Sequence, residues 1–386
     1  MKKITEQAKE HNSSMQDVKH INSCSFTDFF ESSRGNLLIN GGNDEKRLMC
    51  LAEAVKSIKR TSRKTVVIFS EDRAFEKKLT DMAMKKEIGQ LYVINEDYPS
   101  YDFFRGMKPN FICEYFNLLG KLKEYKDISE IESYLSSLIS LMKDEGEEIN
   151  LISLFSFANS YTPGSLLNPY EETMNASSKG GVYLKELLRS SLDAFETLTT
   201  ENSTGFSLKT AVENDSVILI NSPASYHDFF SLYFATELKM ISDKSFVCIL
   251  DGSHLLQSPA VCSVLETLKQ KRDITVILSH GNISSVNEGE KLIKNTPRKL
   301  IFLHGDAPFP DLQKVTAEFG QYSHIMTAIH ENTPPMVLFP FLKGKNEGAV
   351  PVSKDRIVLQ EESKHNEALL STSNTSTIFI TRKLTA

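Results

Sequence analysis

Asn36-Leu37-Leu38-Ile39-Asn40-Gly41-Gly42-Asn43-Asp44-Glu45-Lys46-Arg47 is the stretch whose reading decides the fold. The apolar run 36–40 has the length of a buried strand, and Gly41-Gly42 ends it. From Lys46 to about Arg60, Leu48, Leu51, Ala52 and Val55 recur at helical spacing. The segment therefore reads as strand, glycine turn, helix. The unit repeats outward. Thr65-Val66-Val67-Ile68-Phe69 is a β-branched run, Ser70-Glu71-Asp72 opens a helix to about Lys86, and Gln90 to Asn95 is a third strand. A β-α-β-α-β order favours a mainly parallel sheet covered by helices.

The chain then changes character. Between about Phe103 and Glu201 strand-like runs are scarce, and Tyr115–Lys123, Ile128–Lys143, Leu151–Ser160 and Val182–Leu198 read as helices. The sheet pattern resumes at Ser216–Ile220, Ser245–Asp251, Ile274–His280 and Lys299–His304, with helices expected at Asp228–Ile241, Pro259–Lys271 and Phe309–Phe319. Beyond Pro334-Pro335 the alternation fails. Lys343–Gly348 reads as a linker or loop, and Thr377–Thr381 as one terminal strand, either on its own sheet or added to a partner's edge. The expected division is a polar N-terminal arm over 1–28, an α/β core over 29–102 and 205–335, a helical insertion over 103–204 and a C-terminal extension over 336–386.

Composition narrows the function classes. The chain has 386 residues, 40% hydrophobic and 24% charged, an ordinary globular balance that argues against a disordered or membrane-embedded chain. No apolar stretch approaches the length of a transmembrane helix, and the start MKKITEQAKEHNSS lacks the apolar core of a secretory signal. The net charge of −6 gives no basic footprint for a nucleic-acid binder. Two local basic clusters, Lys56–Lys64 and Lys291–Lys299, read as solvated helix faces. The five cysteines are scattered with no CxxC pair, which suits a reducing compartment and argues against disulfide or zinc frameworks.

In an open α/β sheet, ligands bind beyond the carboxyl ends of the strands. Three such ends carry polar residues. Asn40 to Arg47 aligns on Lys46 with the phosphate-loop pattern G-x-x-x-x-G-K-[ST], whose glycines free backbone N–H groups for phosphate and whose hydroxyl holds magnesium. The lysine and its context are kept. Asn40 replaces the first glycine, Glu45 the second and Arg47 the hydroxyl, and Asp44 and Glu45 put carboxylates where phosphate charge belongs. The second end, Phe246 to Asp251, has the form of a strand whose aspartate orients magnesium, but Gly252 stands where a catalytic glutamate often follows. The third is His280, a polar residue where related ATPases sense the γ-phosphate; a hydrogen-bonded strand-end histidine is the plainer reading. His254, three residues past Asp251, could face it.

Taken in order, these features resemble the VirD-type/TraG-type coupling ATPases of conjugation and type IV secretion, within the HerA/FtsK group, over roughly residues 30–335. The resemblance implies an α/β fold: a RecA-like, P-loop NTPase-type mainly parallel sheet with helices on both faces and an inserted all-helical region. It also marks the departures. The loop glycines and hydroxyl, the acid after Asp251, a glutamine near position 280, and the acid and lysine after the second strand (here Phe69-Ser70-Glu71) are all missing. Several independent catalytic positions are lost together while the apolar strands survive. The expectation is a pseudo-ATPase without catalytic residues: a scaffold, adaptor or regulator of a secretion or conjugation apparatus, cytoplasmic or at the inner membrane face through its partners. Those partners would be an active ATPase or other subunits, in a homo- or hetero-oligomer, with no metal or other cofactor unless ATP and magnesium still bind at Asp251. The competing readings are a slow ATP-driven DNA or protein motor using Lys46 and Asp251, and an unrelated nucleotide or small-ligand binder built around Asp251, His254 and His280.

Overall fold

The computed structural model describes residues 35–41, 44–160, 174, 178–199, 206–282, 299–303, 324–328, 346–350, 369–372 and 375–380. The expected arm over 1–28, Gly42-Asn43 and the helix expected at Phe309–Phe319 lie outside the described residues. The strands are β1 (Leu37–Gly41), β2 (Thr65–Ser70), β3 (Leu91–Ile94), β4 (Val217–Ile220), β5 (Phe246–Asp251), β6 (Thr275–His280), β7 (Lys299–Leu303), β8 (His324–Ala328), β9 (Asn346–Val350), β10 (Leu369–Thr372) and β11 (Thr375–Ile380). Nine form one sheet in the order β11-β10-β7-β1-β6-β5-β2-β4-β3. The run from β7 to β3 is parallel throughout. The hairpin β10–β11 adds to β7 antiparallel, so the terminal strand joins the chain's own sheet.

Strands β8 and β9 form a separate antiparallel pair. This corrects the reading of Lys343–Gly348 as a loop, because β9 begins at Asn346. Its residues Asn346-Glu347-Gly348 have low strand propensity, so pairing with β8 decides their conformation.

The central strands are buried on both faces, which is why they read as uninterrupted apolar runs. Alternation splits their side chains between two cores. Val66, Ile68, Val247, Ile249, Ile39 and Ile277 face α1 (Asp44–Ser62) and α2 (Arg73–Met84). Leu38, Val67, Phe69, Cys248, Leu250 and Leu278 face the opposite way, into a larger core shared with the remaining helices.

Among the described residues, four longer helices fall between β3 and β4: α3 (Pro109–Leu122), α4 (Ile128–Asp144), α5 (Leu151–Ser160) and α6 (Ser178–Phe195). A one-turn helix α7 (Leu208–Ala211) returns the chain to the sheet, and α8 (His227–Met240) and α9 (Pro259–Lys269) cover the same face. The outgoing and returning segments are stitched together at the root: Tyr101 N–H donates to Leu198 C=O at 2.8 Å, and Asp102 N–H to Phe206 C=O at 2.7 Å.

Close approach of α6 to α4 depends on two glycines. A Cβ on Gly180 would lie 2.3 Å from the Glu130 carbonyl carbon and oxygen, and one on Gly181 would lie 2.7 Å from the Tyr134 ring. Gly120 in α3 has ordinary room, its nearest neighbour being Ile131 Cδ1 at 3.5 Å. Gly180→Ala is therefore expected to destabilise the fold by about 1–3 kcal/mol, because the clash is with backbone that cannot rotate away. Gly120→Ala is expected to be neutral or to gain up to about 1 kcal/mol of helix propensity. Denaturant melts of the two variants check this, and equal stabilities would contradict the packing described.

Candidate functional site

The site is built by one row of residues across the sheet. Register pairs Ser70 with Asp251 and Asp251 with Ser279, each at a strand's carboxyl end. Alternation turns all three toward the face that carries α1. Ser279 Oγ–H donates to Asp251 Oδ1 at 2.7 Å, and Ser70 Oγ–H donates to Oδ2 at 3.1 Å. Asp251 is 3% exposed. Burial raises its pKa above the ordinary carboxylate value, and the bonds from Ser279 and Ser70 and the charge of Arg47 only partly oppose that rise.

Arg47 lies in the first turn of α1, with Asp44 and Glu45 exposed ahead of it. Its Nη1 pairs with Asp44 Oδ1 at 2.6 Å, and its Nε stands 3.8 Å from Asp251 Oδ1. The guanidinium is 9% exposed and packs over Gly281, where a Cβ would come within 2.9 Å of Nη1. Thus the residue at the motif's hydroxyl position is an internal counter-ion for Asp251. Lys46 sits beside it, half-buried.

The other expected positions are also at these tips. Gly41 closes β1 at φ +83° and Gly252 follows β5 at φ +57°, so both occupy the left-handed region that favours glycine. Gly252 has open space around a would-be Cβ. Conformation, not room, excludes a larger residue there. Asn40 is fully buried between β6 and β7, and neither of its amide atoms has a hydrogen-bond partner among the described residues. His280 is half-buried, and its Nδ1 accepts from Asn282 N–H at 3.0 Å. Gly42 lies outside the described residues.

His254 is engaged by a different neighbour. Its Nδ1–H and its backbone N–H both donate to Glu71 Oε1, at 2.6 and 2.9 Å, and its ring lies 5.1 Å from that of His227. Half-burial acts to raise the Glu71 pKa, but the bonds from His254 outweigh it and lower the value. The sequence reading did not assign roles to Ser70, Ser279 or Glu71. Two adjacent strand tips ending in serine and aspartate were the available signal, and it needed the strand order to be read. Of the basic clusters, Lys56 pairs with Glu87 at 3.1 Å, Lys59 with Asp215, and Lys64 Nζ donates to Asp273 C=O at 2.6 Å. These three cations are occupied by local acceptors.

The arrangement does not fit magnesium. That ion demands a near-octahedral shell of oxygen atoms. Here a fixed cation already faces the carboxylate, and like charges about 4 Å apart repel by roughly 4 kcal/mol per unit charge in a partly buried site. The acidic pair at the start of α1 opposes triphosphate for the same reason. Among the described residues, no group of three or more His, Cys, Asp or Glu could hold a metal ion.

Arg47→Met leaves the buried Asp251 without its cation and is expected to destabilise the fold by about 3 kcal/mol at neutral pH. Losing the cation raises the Asp251 pKa further above its unfolded value. The variant is then least affected below the unfolded value and loses stability as pH rises through the folded one. Adding Asp251→Asn is expected to recover most of the loss. A double-mutant cycle checks the coupling, and additive effects would refute it.

No protein-family model matches the chain, and no curated protein matches its sequence. Solved structures do resemble it. The bacterial conjugative coupling protein TrwB lacking its first 70 residues, in a trigonal form with sulphate, superposes with a TM-score of 0.57 at 13% identity, over 96% of each chain. TrwB with ADP and Mg2+ gives 0.53 at 13% identity, over 97% of this chain and 91% of that one. VirB4 of Thermoanaerobacter pseudethanolicus gives 0.50 at 14% identity, over 76% of this chain and 84% of that one. With its parallel sheet and covering helices, the chain has the RecA-like P-loop NTPase fold of the conjugative coupling proteins.

Proposed function

We propose that this protein is a non-hydrolysing, ATPase-like subunit of a type IV secretion or conjugation apparatus. It acts as a scaffold, adaptor or regulator alongside an active ATPase or another subunit. The observation that carries this reading is the Arg47 guanidinium beside Asp251, in the position from which a magnesium ligand would act. Phosphoryl transfer depends on a positioned nucleophile and on compensation of charge at the phosphates. The hydroxyl ligand is replaced by a cation, the residue after the aspartate is Gly252, and the helix that would face phosphate opens with Asp44 and Glu45. The division into a core over 29–102 and 205–335, an insertion over 103–204 and an extension over 336–386 belongs to the same proposal. In it the core supplies a rigid body, and the added segments supply contact surface.

A second reading is a slow translocation motor. Lys46 favours it, because that residue keeps the phosphate-loop lysine's place at the start of α1. Equilibrium titration with magnesium-ATP separates the two. The expected result is no saturable binding up to millimolar nucleotide and no phosphate release, with Lys46→Ala indistinguishable from the parent. Saturable binding and turnover that Lys46→Ala removes would overturn the proposal in favour of the motor.

A further inference from the structure

The large sheet ends on one side at β3, the four-residue strand Leu91-Tyr92-Val93-Ile94. Its backbone faces two ways. Val217 N–H donates to Gln90 C=O at 2.8 Å and Asn221 N–H to Ile94 C=O at 2.9 Å, so Gln90, Tyr92 and Ile94 turn their peptide groups toward β4. Alternation then turns the N–H and C=O groups of Leu91 and Val93 outward. Neither residue's backbone has a hydrogen-bond partner among the described residues. Leu91, Tyr92 and Val93 are each half-buried, so the edge is open in part to solvent. Edge strands are commonly guarded against pairing by a lysine or a proline. From Gln90 to Asn95 this one carries no charge and no proline.

We propose that β3 is the interface of a homodimer, in which a second copy of this chain pairs antiparallel across the edge, about a twofold axis at Tyr92. The register follows from the outward groups. Leu91 and Val93 lie symmetrically about Tyr92, so Leu91 of one copy meets Val93 of the other, and each such pair exchanges both of its backbone hydrogen bonds. Every outward N–H and C=O of β3 is then used. The side chains agree with that register. Leu91 and Val93 pack on the α1 and α2 face, and Tyr92 lies on the other, with its ring 5.3 Å from that of Phe206. Pairing sets leucine against valine on one face and tyrosine against tyrosine on the other, and opposes no like charges. Met84 and Tyr98, 71% and 63% exposed, stand in the chain before and after the strand and add apolar surface.

Charge selects a second copy as the occupant. Lys85 and Lys86 precede the strand and Glu96 follows it, all exposed and without an ion pair among the described residues. Their neighbours are already matched within the chain, Glu87 by Lys56 at 3.1 Å and Asp97 by Arg73 at 2.5 Å. An antiparallel copy brings the basic end of each β3 to the acidic end of the other, so the same complementarity is made on both sides of the axis.

The test is sedimentation velocity of the full chain over a range of micromolar concentrations, where a reversible monomer–dimer equilibrium is expected. Leu91→Pro removes an outward N–H that bonds nothing within the chain, at the first position of an edge strand, where proline is tolerated. It is expected to keep the far-ultraviolet circular dichroism of the parent and to weaken dimerisation at least about tenfold. Lys85→Glu with Lys86→Glu sets acid against Glu96 of the second copy and is expected to weaken the dimer about tenfold at low ionic strength, and adding Glu96→Lys is expected to restore it. These charges are exposed, so the swap keeps the inference testable if the proline variant does not fold. Tyr92→Cys faces itself across the axis and is expected to yield an oxidised dimer, whereas Val93→Cys, which faces Leu91, is not. A chain that stays monomeric would leave the edge to a strand of another protein and overturn the inference. A dimer that a folded Leu91→Pro variant keeps at full strength, or a charge swap that restores nothing, would overturn it as well.

Discussion

The rest of the site depends on the neutralisation of one buried carboxylate. Asp251 stands at the tip of β5, between β2 and β6, each of which carries a serine near its tip on the same face. The serine hydroxyls satisfy its oxygens but add no charge. Arg47 supplies the charge, and to reach Asp251 it must leave solvent and lie over Gly281. Each partner would be costly to bury without the other. The pair therefore fixes the start of α1 against β5 and the turn after β6. In an active P-loop enzyme that junction has to admit a metal and three or four phosphate charges. Here the described part of that junction holds the guanidinium of Arg47 against Asp251.

Much of the fold was legible because parallel strands buried on both faces carry a strong signal. Runs such as Val66-Val67-Ile68 and Val247-Cys248-Ile249-Leu250 have no polar interruption, and each is followed by a helix with apolar residues at helical spacing. Where burial is one-sided or pairing is local, the signal weakens. Strand β9 reads as a loop in the sequence because Asn346-Glu347-Gly348 has the composition of one, and it pairs locally, with the preceding strand β8. Helix α3 begins at Pro109, earlier than the expected Tyr115, because proline in a first turn marks a start that apolar periodicity alone does not show.

The candidate site was legible as a set of substitutions but not as a structure. Linear comparison shows that Arg47 is not a hydroxyl and that Gly252 is not an acid. It does not show that the arginine reaches back to Asp251, because that contact spans some 200 residues and depends on β6 and β5 lying in order beside β1. The roles of Ser70 and Ser279 were hidden for the same reason. A serine at a strand end is unremarkable until the register places it opposite an aspartate. His254 shows the reverse case. Proximity in sequence to Asp251 linked it with the strand tips and with His280, whereas its bonds run to Glu71 at the neighbouring tip.

Asp251 and Glu237 are both buried acids, and the difference between them lies in what each is bonded to. Asp251 has two hydroxyls on the neighbouring strands β2 and β6 and a cation on α1, which packs on the sheet. Its ionisation is coupled to the whole core. Glu237 has no cation, and two of its three bonded segments are the chain entering and leaving one insertion. The root itself is held by a few backbone bonds and aromatic contacts rather than by the parallel ladder. In a protein proposed to work by contact rather than by turnover, the contact surface belongs to elements outside the strand tips. The insertion root lies outside those tips, tied to the sheet-covering helix α8 through Glu237 and Tyr233.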